Sequence, residues 1–162
     1  MSLLDDVSIV VTPNGYKAGE LYAVIPVPTE GTELVTNGGF STDTDWDKTG
    51  TWAISGSANA TANSTSQYLQ QDFTIDNGKR YLFSYEVIGN TLNGNGSSLS
   101  GSGGFVSVPI SSVIGVHSTI ITADDSSALY ALKIGISGTA TTGAIEIDNV
   151  SVKEYTSADM DV

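Results

Sequence analysis

The sequence contains no cysteine, which excludes a disulfide framework, a thiolate zinc site and catalysis by a thiol. It is also poor in basic residues: 6 Lys and Arg stand against 18 Asp and Glu in 162 residues, giving a formal net charge of −12. A protein that binds nucleic acid needs clustered Lys and Arg to neutralise phosphates. We therefore expect no binding to nucleic acid.

Long apolar runs are missing as well. No stretch approaches the roughly 18 consecutive apolar residues that span a membrane, so we expect no membrane insertion. The apolar run at residues 7–11 is short, and Asp5 and Asp6 stand where a secretory signal carries basic residues. We expect the N-terminal segment to be something other than an export signal.

What the sequence does contain is a series of β-prone segments. Runs of β-branched and aromatic residues are separated by clusters of Gly, Asn, Asp and Ser, while helix signals are almost absent. In residues 81–87 the apolar side chains occupy every second position, as in a half-buried antiparallel strand. Residues 130–136 repeat this period and place Tyr130 on the same face as Leu132. These patterns predict an all-β sandwich or barrel.

The last of these segments contains an irregularity. Its apolar residues are Ile145 and Ile147, then Val150 and Val152, so the alternation slips by one residue at positions 148–149. A β-bulge at that point would keep all four side chains on the inner face. The sequence therefore predicts a bulge in the closing strand.

A boundary is predicted at residues 26–32, where two prolines and a glycine restrict or turn the backbone. The Gly-, Ser- and Asn-rich residues 89–104 are interpreted as a long connection inside the domain, either without function or as a contact loop. We predict three parts: an N-terminal docking arm at residues 1–31, a β-sandwich at residues 32–155 and a polar C-terminal tail at residues 156–162.

Four motifs follow one another along the predicted sandwich: "ELVTNGGF" with a later "DW", then "WAISG", then "QQDFTIDNGKRYLFSYEV", and finally "IDNVSV". In this order and spacing the chain resembles the jelly-roll carbohydrate-binding modules of families 4, 9 and 22 from residue 34 to residue 154. The resemblance implies an antiparallel jelly-roll β-sandwich, which agrees with the alternating patterns. A fold that is reused so widely does not by itself imply sugar binding.

The arm carries a second resemblance. "SLLDDVSIVVTPNGYKAGELYAVIP" is similar to the N-terminal segment of virion structural proteins of tailed bacteriophages, where it precedes varied β domains. This implies a non-enzymatic virion component at the particle surface, as a capsid decoration, head-fibre or tail-associated protein. Apolar β-prone segments are stabilised when they pair with strands of neighbouring subunits. Here the partners would be other virion proteins or further copies of the chain in a homo-oligomer such as a trimer. The predicted interface residues are Val7, Ile9, Val10, Val11, Tyr16, Leu21, Tyr22, Val24 and Ile25.

The alternative function is that of a carbohydrate-binding module for host-surface or environmental glycans. Sugar C–H faces stack on exposed aromatic rings, and the candidate rings are those of Tyr68, Tyr85, Trp46 and Trp52. In the resembled modules, the positions of Trp46 and Trp52 pack in the core, and Tyr85 shares a strand face with Phe83. The core positions of the two Trp residues make Tyr68 and Tyr85 the better candidates, although the face shared with Phe83 counts against Tyr85.

No cofactor is expected, with one exception. The resemblance implies a structural calcium ion held by the Asp148 carboxylate and by backbone carbonyls of residues 38–40. The competing interpretation is that Asp148 satisfies backbone donors at the bulge. The D-x-D-x-D spacing of residues 43–47 lacks the Gly and Glu of a calcium loop. A lone His117 without a G-x-S-x-G elbow favours a protein that is not an enzyme.

Overall fold

The computed structural model describes residues 13–17, 20–23, 28–93 and 99–157. Residues 30–156 form one compact unit, and the described residues before them belong to a second unit. Within the described residues, no helix has the length and apolar character needed to cross a membrane.

The described residues form strands and no helices, and the bounds of these strands follow. The strands are β1 (Pro13–Lys17), β2 (Glu20–Ala23), β3 (Thr29–Glu33), β4 (Asp47–Lys48), β5 (Ala53–Ile54), β6 (Ala58–Thr61), β7 (Gln67–Gln71), β8 (Arg80–Asn90), β9 (Leu99–Gly103), β10 (Val108–Pro109), β11 (Gly115–Thr122), β12 (Leu132–Ile136) and β13 (Ala144–Thr156).

Strands β1 and β2 form an antiparallel hairpin in the arm. Tyr16 pairs with Leu21 and Lys17 pairs with Glu20. Of the predicted interface residues, Tyr16, Leu21 and Tyr22 lie on these two strands, and the remaining six lie outside the described residues. Their role in docking stays a prediction.

Residues 30–156 form an antiparallel jelly-roll β-sandwich, which confirms the predicted fold class. One sheet has the strand order β10-β9-β12-β7-β4, and the other has the order β11-β8-β13-β6-β5 with β3 also paired to β13. The two sheets contribute their inner faces to one hydrophobic core. Its fully buried side chains include Leu69 and Ile134 from the first sheet, and Phe83 and Ile147 from the second.

The sandwich begins earlier than the sequence predicted. Strand β3 includes residues 29–31, which we had assigned to the arm, and it pairs with β13. The Glu33 carboxylate accepts a hydrogen bond from Val152 N at 2.9 Å, and Lys153 Nζ lies 3.1 Å from Glu30. All five residues of β3 are exposed, so no apolar alternation marks this strand in the sequence.

The predicted β-bulge in the closing strand is confirmed. The pairing of β13 with β8 shifts its register between Asp148 and Ser151. Asn149 occupies the left-handed region with φ of 52°, and its Nδ2 donates to Glu86 Oε2 at 2.8 Å. The bulge thereby keeps Val150 in the core.

The Gly-rich connection differs from its prediction, because part of it is a strand. Strand β9 lies inside residues 89–104 and pairs along its whole length with β12. Gly103 has φ of 108°, and a Cβ there would come within 2.6 Å of Ala131 O. A strand of small residues that packs this closely leaves no apolar pattern in the sequence.

Candidate functional site

Two of the predicted glycan contacts are core residues. Trp46 is 6% exposed, its Nε1 donates to Asn37 O at 3.1 Å, and its ring centroid lies 5.3 Å from that of Phe40. Tyr85 is 5% exposed, and its hydroxyl accepts a hydrogen bond from Ser111 N at 2.7 Å. Burial raises the pKa of Tyr85. Since neither ring presents a free face to solvent, the structure reassigns both residues from glycan contact to core packing.

Tyr68 has the opposite placement. On β7 the side chain of Leu69 is fully buried in the core, so the neighbouring Tyr68 and Gln70 belong to the outer face of the five-stranded sheet. Tyr68 is half-exposed, and its register partner on β12 is Gly135. A Cβ at position 135 would come within 2.9 Å of two carbons of the Tyr68 ring. Because Gly135 has no side chain, the Tyr68 ring can lie against the sheet.

Lys133 places a positive charge beside this ring. It lies on the same face, two residues before Gly135, and pairs with Gln70. Its Nζ is 4.8 Å from the centroid of the Tyr68 ring. A cation–π contact of this kind contributes about 0.5–1 kcal/mol at an exposed site. The ammonium is thus held over the ring by a weak contact, which a stacking ligand can displace.

A second tyrosine reaches the same face from the segment before β12. Asp47 on β4 pairs with Gln70, and the Tyr130 hydroxyl lies near the Asp47 carboxylate. Interaction of the hydroxyl with Asp47, followed by burial and the negative charge of Asp72, raises the pKa of Tyr130. The phenol therefore stays protonated at neutral pH.

The sequence pattern had placed Tyr130 in the core beside Leu132. The structure differs because β12 begins only at Leu132, so the alternation does not extend back to Tyr130, which is half-buried. Sequence reasoning missed Tyr130 as a site residue. Its partner Asp47 lies in a distant segment, and no local signal joins the two.

These side chains make up what we term the Tyr68 face, which consists of Asp47, Tyr68, Gln70, Asp72, Tyr130 and Lys133. An open depression of about 470 Å³ extends from it along the loop at residues 43–46. In this loop Asp43 forms an ion pair with Lys48, and Thr44 Oγ1 donates to Asp45 Oδ2 at 2.6 Å. The Tyr68 face and the depression are thus rich in carboxylate acceptors, and the ammonium groups of Lys133 and Lys48 lie among them.

This arrangement suits a neutral ligand rich in hydroxyl groups. An aromatic ring can stack on the C–H face of a sugar, while carboxylates and the carboxamide accept hydrogen bonds from its hydroxyls. The same carboxylates repel a phosphorylated, sulfated or uronic ligand. The Tyr68 face therefore offers groups for stacking and for hydrogen bonding.

The other groups considered for chemistry serve local structure. On the opposite sheet, His117 Nε2 lies 2.7 Å from Val113 O, and its ring centroid lies 5.5 Å from that of Tyr85. Glu86 accepts from Asn149, and Glu146 Oε1 accepts from Ser57 Oγ at 2.6 Å.

Asp148 has a defined role at the bulge. Its Oδ1 accepts a hydrogen bond from Asn149 N at 2.7 Å, and Gly38 O accepts one from Val150 N at 2.9 Å. Both groups that the family resemblance assigned to calcium are thus engaged within the protein. Across the described ranges, no three His, Cys, Asp or Glu side chains converge in a way that could hold a metal ion. Calcium at Asp148 stays an untested prediction.

No family model matches the sequence, and none of the curated proteins matches it. Among solved structures, the chain is similar to a variant of a family 29 carbohydrate-binding module that was used to probe ligand recognition. The two share 14% identity, with 84% of this chain and 97% of that chain covered and a TM-score of 0.43. A similarity this distant transfers no function, which has to be argued from the residues of this chain.

Proposed function

We propose that this protein is a non-enzymatic glycan-binding module and that the Tyr68 face binds the sugar. The observation that carries the proposal is the placement of the Tyr68 ring: partly exposed, against Gly135, and 4.8 Å from the Lys133 ammonium. A ring in this position can stack on a pyranose while Lys133 donates to a hydroxyl oxygen. On the same face, the exposed Asp47, the register partner of the buried Gln70, supplies an acceptor.

The class of glycan follows from the charges. The chain has a net charge of −12, and Asp47 and Asp72 stand on the Tyr68 face itself. An anionic polysaccharide would meet repulsion both at long range and at the site. A neutral polysaccharide or oligosaccharide would meet no such repulsion, so we expect neutral glycans to be the ligands.

The test is binding of the full chain to an array of neutral and anionic glycans, followed by calorimetry with the best neutral ligand. Tyr68→Ala should weaken binding about tenfold, because the loss of one aromatic contact is worth about 0.5–1.5 kcal/mol beyond its buried area. Tyr155→Ala is the matched control, since Tyr155 is half-buried at the end of β13 in the other sheet, 5.6 Å from the Arg80 guanidinium. Equal losses in both variants, or an array without neutral binders, would contradict the proposal.

The second candidate function is docking of the arm onto a larger particle such as a virion. It is supported by the arm resemblance and by the hairpin of β1 and β2, which lies outside the compact unit at residues 30–156. Among the described residues, the hydrophobic core of the sandwich draws its members from Val35 to Val152. A displayed glycan-binding sandwich would make the two functions compatible.

Deletion of residues 2–28 tests this second candidate. The truncated chain should keep a cooperative unfolding transition, because the core residues remain, and it should lose incorporation into particles. A truncated chain that is unfolded would show that the arm belongs to the core. A truncated chain that still incorporates would show that docking occurs elsewhere.

A further inference from the structure

Exposed apolar residues are concentrated at one edge of the six-stranded sheet. Among the described residues, six large apolar side chains are exposed, and one of them, Leu129, lies apart. The other five lie on β11, immediately before it, or on segments adjacent to it, and are between 42% and 74% exposed. They are Ile88, Val106, Val113, Ile114 and Val116.

Strand β11 lies at the edge of its sheet. It pairs with β8 on one side, and no described strand pairs with its other side between Gly115 and Ile121. Natural edge strands are usually blunted by charged residues, proline or a bulge. Strand β11 contains no Lys, Arg, Asp, Glu or Pro, and its register with β8 is regular throughout. This edge can therefore accept another strand.

The hydrogen bonds at the end of β11 identify which peptide groups point to the free edge. Ala123 N donates to Lys79 O on the β8 side at 3.0 Å, whereas Thr122 O accepts from Val106 N on the opposite side at 2.9 Å. Consecutive residues of a strand direct their peptide groups to opposite sides. The groups of Val116, Ser118 and Ile120 therefore point away from β8.

The edge strand itself carries no charged residue. Residues 87–123 contain no Asp, Glu, Lys or Arg, although the chain as a whole has a net charge of −12. On β8, Glu86 lies opposite Val116, but its carboxylate already accepts a hydrogen bond from Asn149. A second copy of the chain can approach without placing carboxylates opposite one another, and it brings the same exposed apolar residues.

We propose that the protein dimerises by antiparallel pairing of β11 with β11 of a second copy about a two-fold axis at Ser118. Ser118 then lies opposite the partner's Ser118, and Val116 lies opposite the partner's Ile120. This register lets all three outward-pointing residues of each strand form ladder hydrogen bonds. The ladder ends at Ile120, because the outward side of Thr122 already accepts a hydrogen bond from Val106 N, and the pairing covers the exposed side chain of Val116 in each copy.

The test measures the mass of the full chain by sedimentation equilibrium as a function of concentration, with the expected limit at twice 16.8 kDa. Val116→Lys should weaken association about tenfold or more, because it places a charge opposite an apolar side chain. Ser118→Pro removes an N–H that points to the free edge but no hydrogen bond to β8, so it should also weaken association. Ser118→Ala keeps that N–H and should leave association unchanged.

Thermal unfolding of each variant shows whether the fold is retained. If Ser118→Pro is unfolded, the dissociation constant of the Val116→Lys variant alone tests the pairing. A full chain that is monomeric at every soluble concentration would overturn the proposal. So would an oligomer whose dissociation constant is unchanged by both variants, since assembly would then use another surface such as the arm. A trimer would overturn it as well, because a two-fold pairing closes at two copies.

Discussion

The ring of Tyr68 lies against the backbone of Gly135, its register partner on the neighbouring strand of the outer sheet face. The orientation of the proposed stacking ring thus depends on the absence of a side chain at a position far away in the sequence. Any Cβ at position 135 would stand within 2.9 Å of the ring carbons Cδ1 and Cε1. The ring would have to move, while the backbone around Gly135 would not.

Gly135→Ala should therefore weaken glycan binding about as much as Tyr68→Ala, with little change in the thermal midpoint. The added methyl group displaces the ring but meets no backbone atom closer than Gln67 O at 3.6 Å. Calorimetry with a neutral glycan measures the first effect, and thermal unfolding measures the second. Gly39→Ala is the control, because a Cβ there would approach no heavy atom closer than 3.9 Å. Unchanged affinity in Gly135→Ala would show that the ring does not contact the sugar.

The core was predictable from the sequence, and the Tyr68 face only in part. Alternation in β8 identified the inward Phe83, and the slip at positions 148–149 identified the bulge, because both are local consequences of a two-residue period. The proximity of Tyr130 to Asp47 could not be predicted, since the topology brings together two segments that are distant in the sequence. Tyr68 was recognised as a candidate, but the contact of its ring with Gly135 depends on the strand register, which the sequence does not reveal.

Buried glutamines on β7 explain why that strand does not show a clean apolar alternation. Gln67 is fully buried, and its Oε1 accepts hydrogen bonds from Thr51 N at 2.6 Å and Thr51 Oγ1 at 2.7 Å. Its Nε2 donates to Thr61 O at 2.8 Å. The carboxamide thus satisfies two backbone groups in a part of the domain from which water is largely excluded.

Gln67→Leu should lower the free energy of unfolding by about 2–4 kcal/mol, because each partly buried polar group left without a partner costs about 1–3 kcal/mol. Urea unfolding measures the change. Gln70→Leu is the matched control, since Gln70 is also buried on this strand, at 6% exposed, but satisfies neither Thr51 N nor Thr61 O, and it should therefore cost less than Gln67→Leu. Equal losses for the two variants would argue against the role assigned to Gln67.

The bulge in β13 requires a left-handed backbone conformation at residue 149. Asn149 has φ of 52°, a left-handed conformation that asparagine and glycine tolerate and β-branched residues do not. Asn149→Val should therefore reduce the free energy of unfolding by about 1–2 kcal/mol, with the lost hydrogen bond to Glu86 adding to the strain. Asn149→Gly loses the same hydrogen bond without the strain, so it should be the milder variant in urea unfolding. A valine variant as stable as the glycine variant would mean that the bulge can change its conformation.

The turn that follows β11 contains a carboxylate whose contribution to stability depends on pH. Asp125 Oδ1 accepts hydrogen bonds from Ser127 N at 2.9 Å and from Ser127 Oγ at 2.6 Å. These bonds lower the pKa of Asp125 below its ordinary value of 3.8. A carboxyl group whose pKa is lower in the folded state stabilises the fold above its unfolded-state pKa, and that contribution is lost as pH falls through the folded-state pKa.

Asp125→Ala should therefore have a lower thermal midpoint than the parent chain near neutral pH, and the gap should narrow as the pH falls below 3.8. Asp125→Asn is the control, because its amide oxygen can still accept from Ser127 but carries no charge. The gap between the Asn and Ala variants should be the same at every pH, since neither side chain titrates. A gap between the parent chain and Asp125→Ala that stays constant or widens in acid would mean that the hydrogen bonds to Ser127 do not favour the ionised carboxylate.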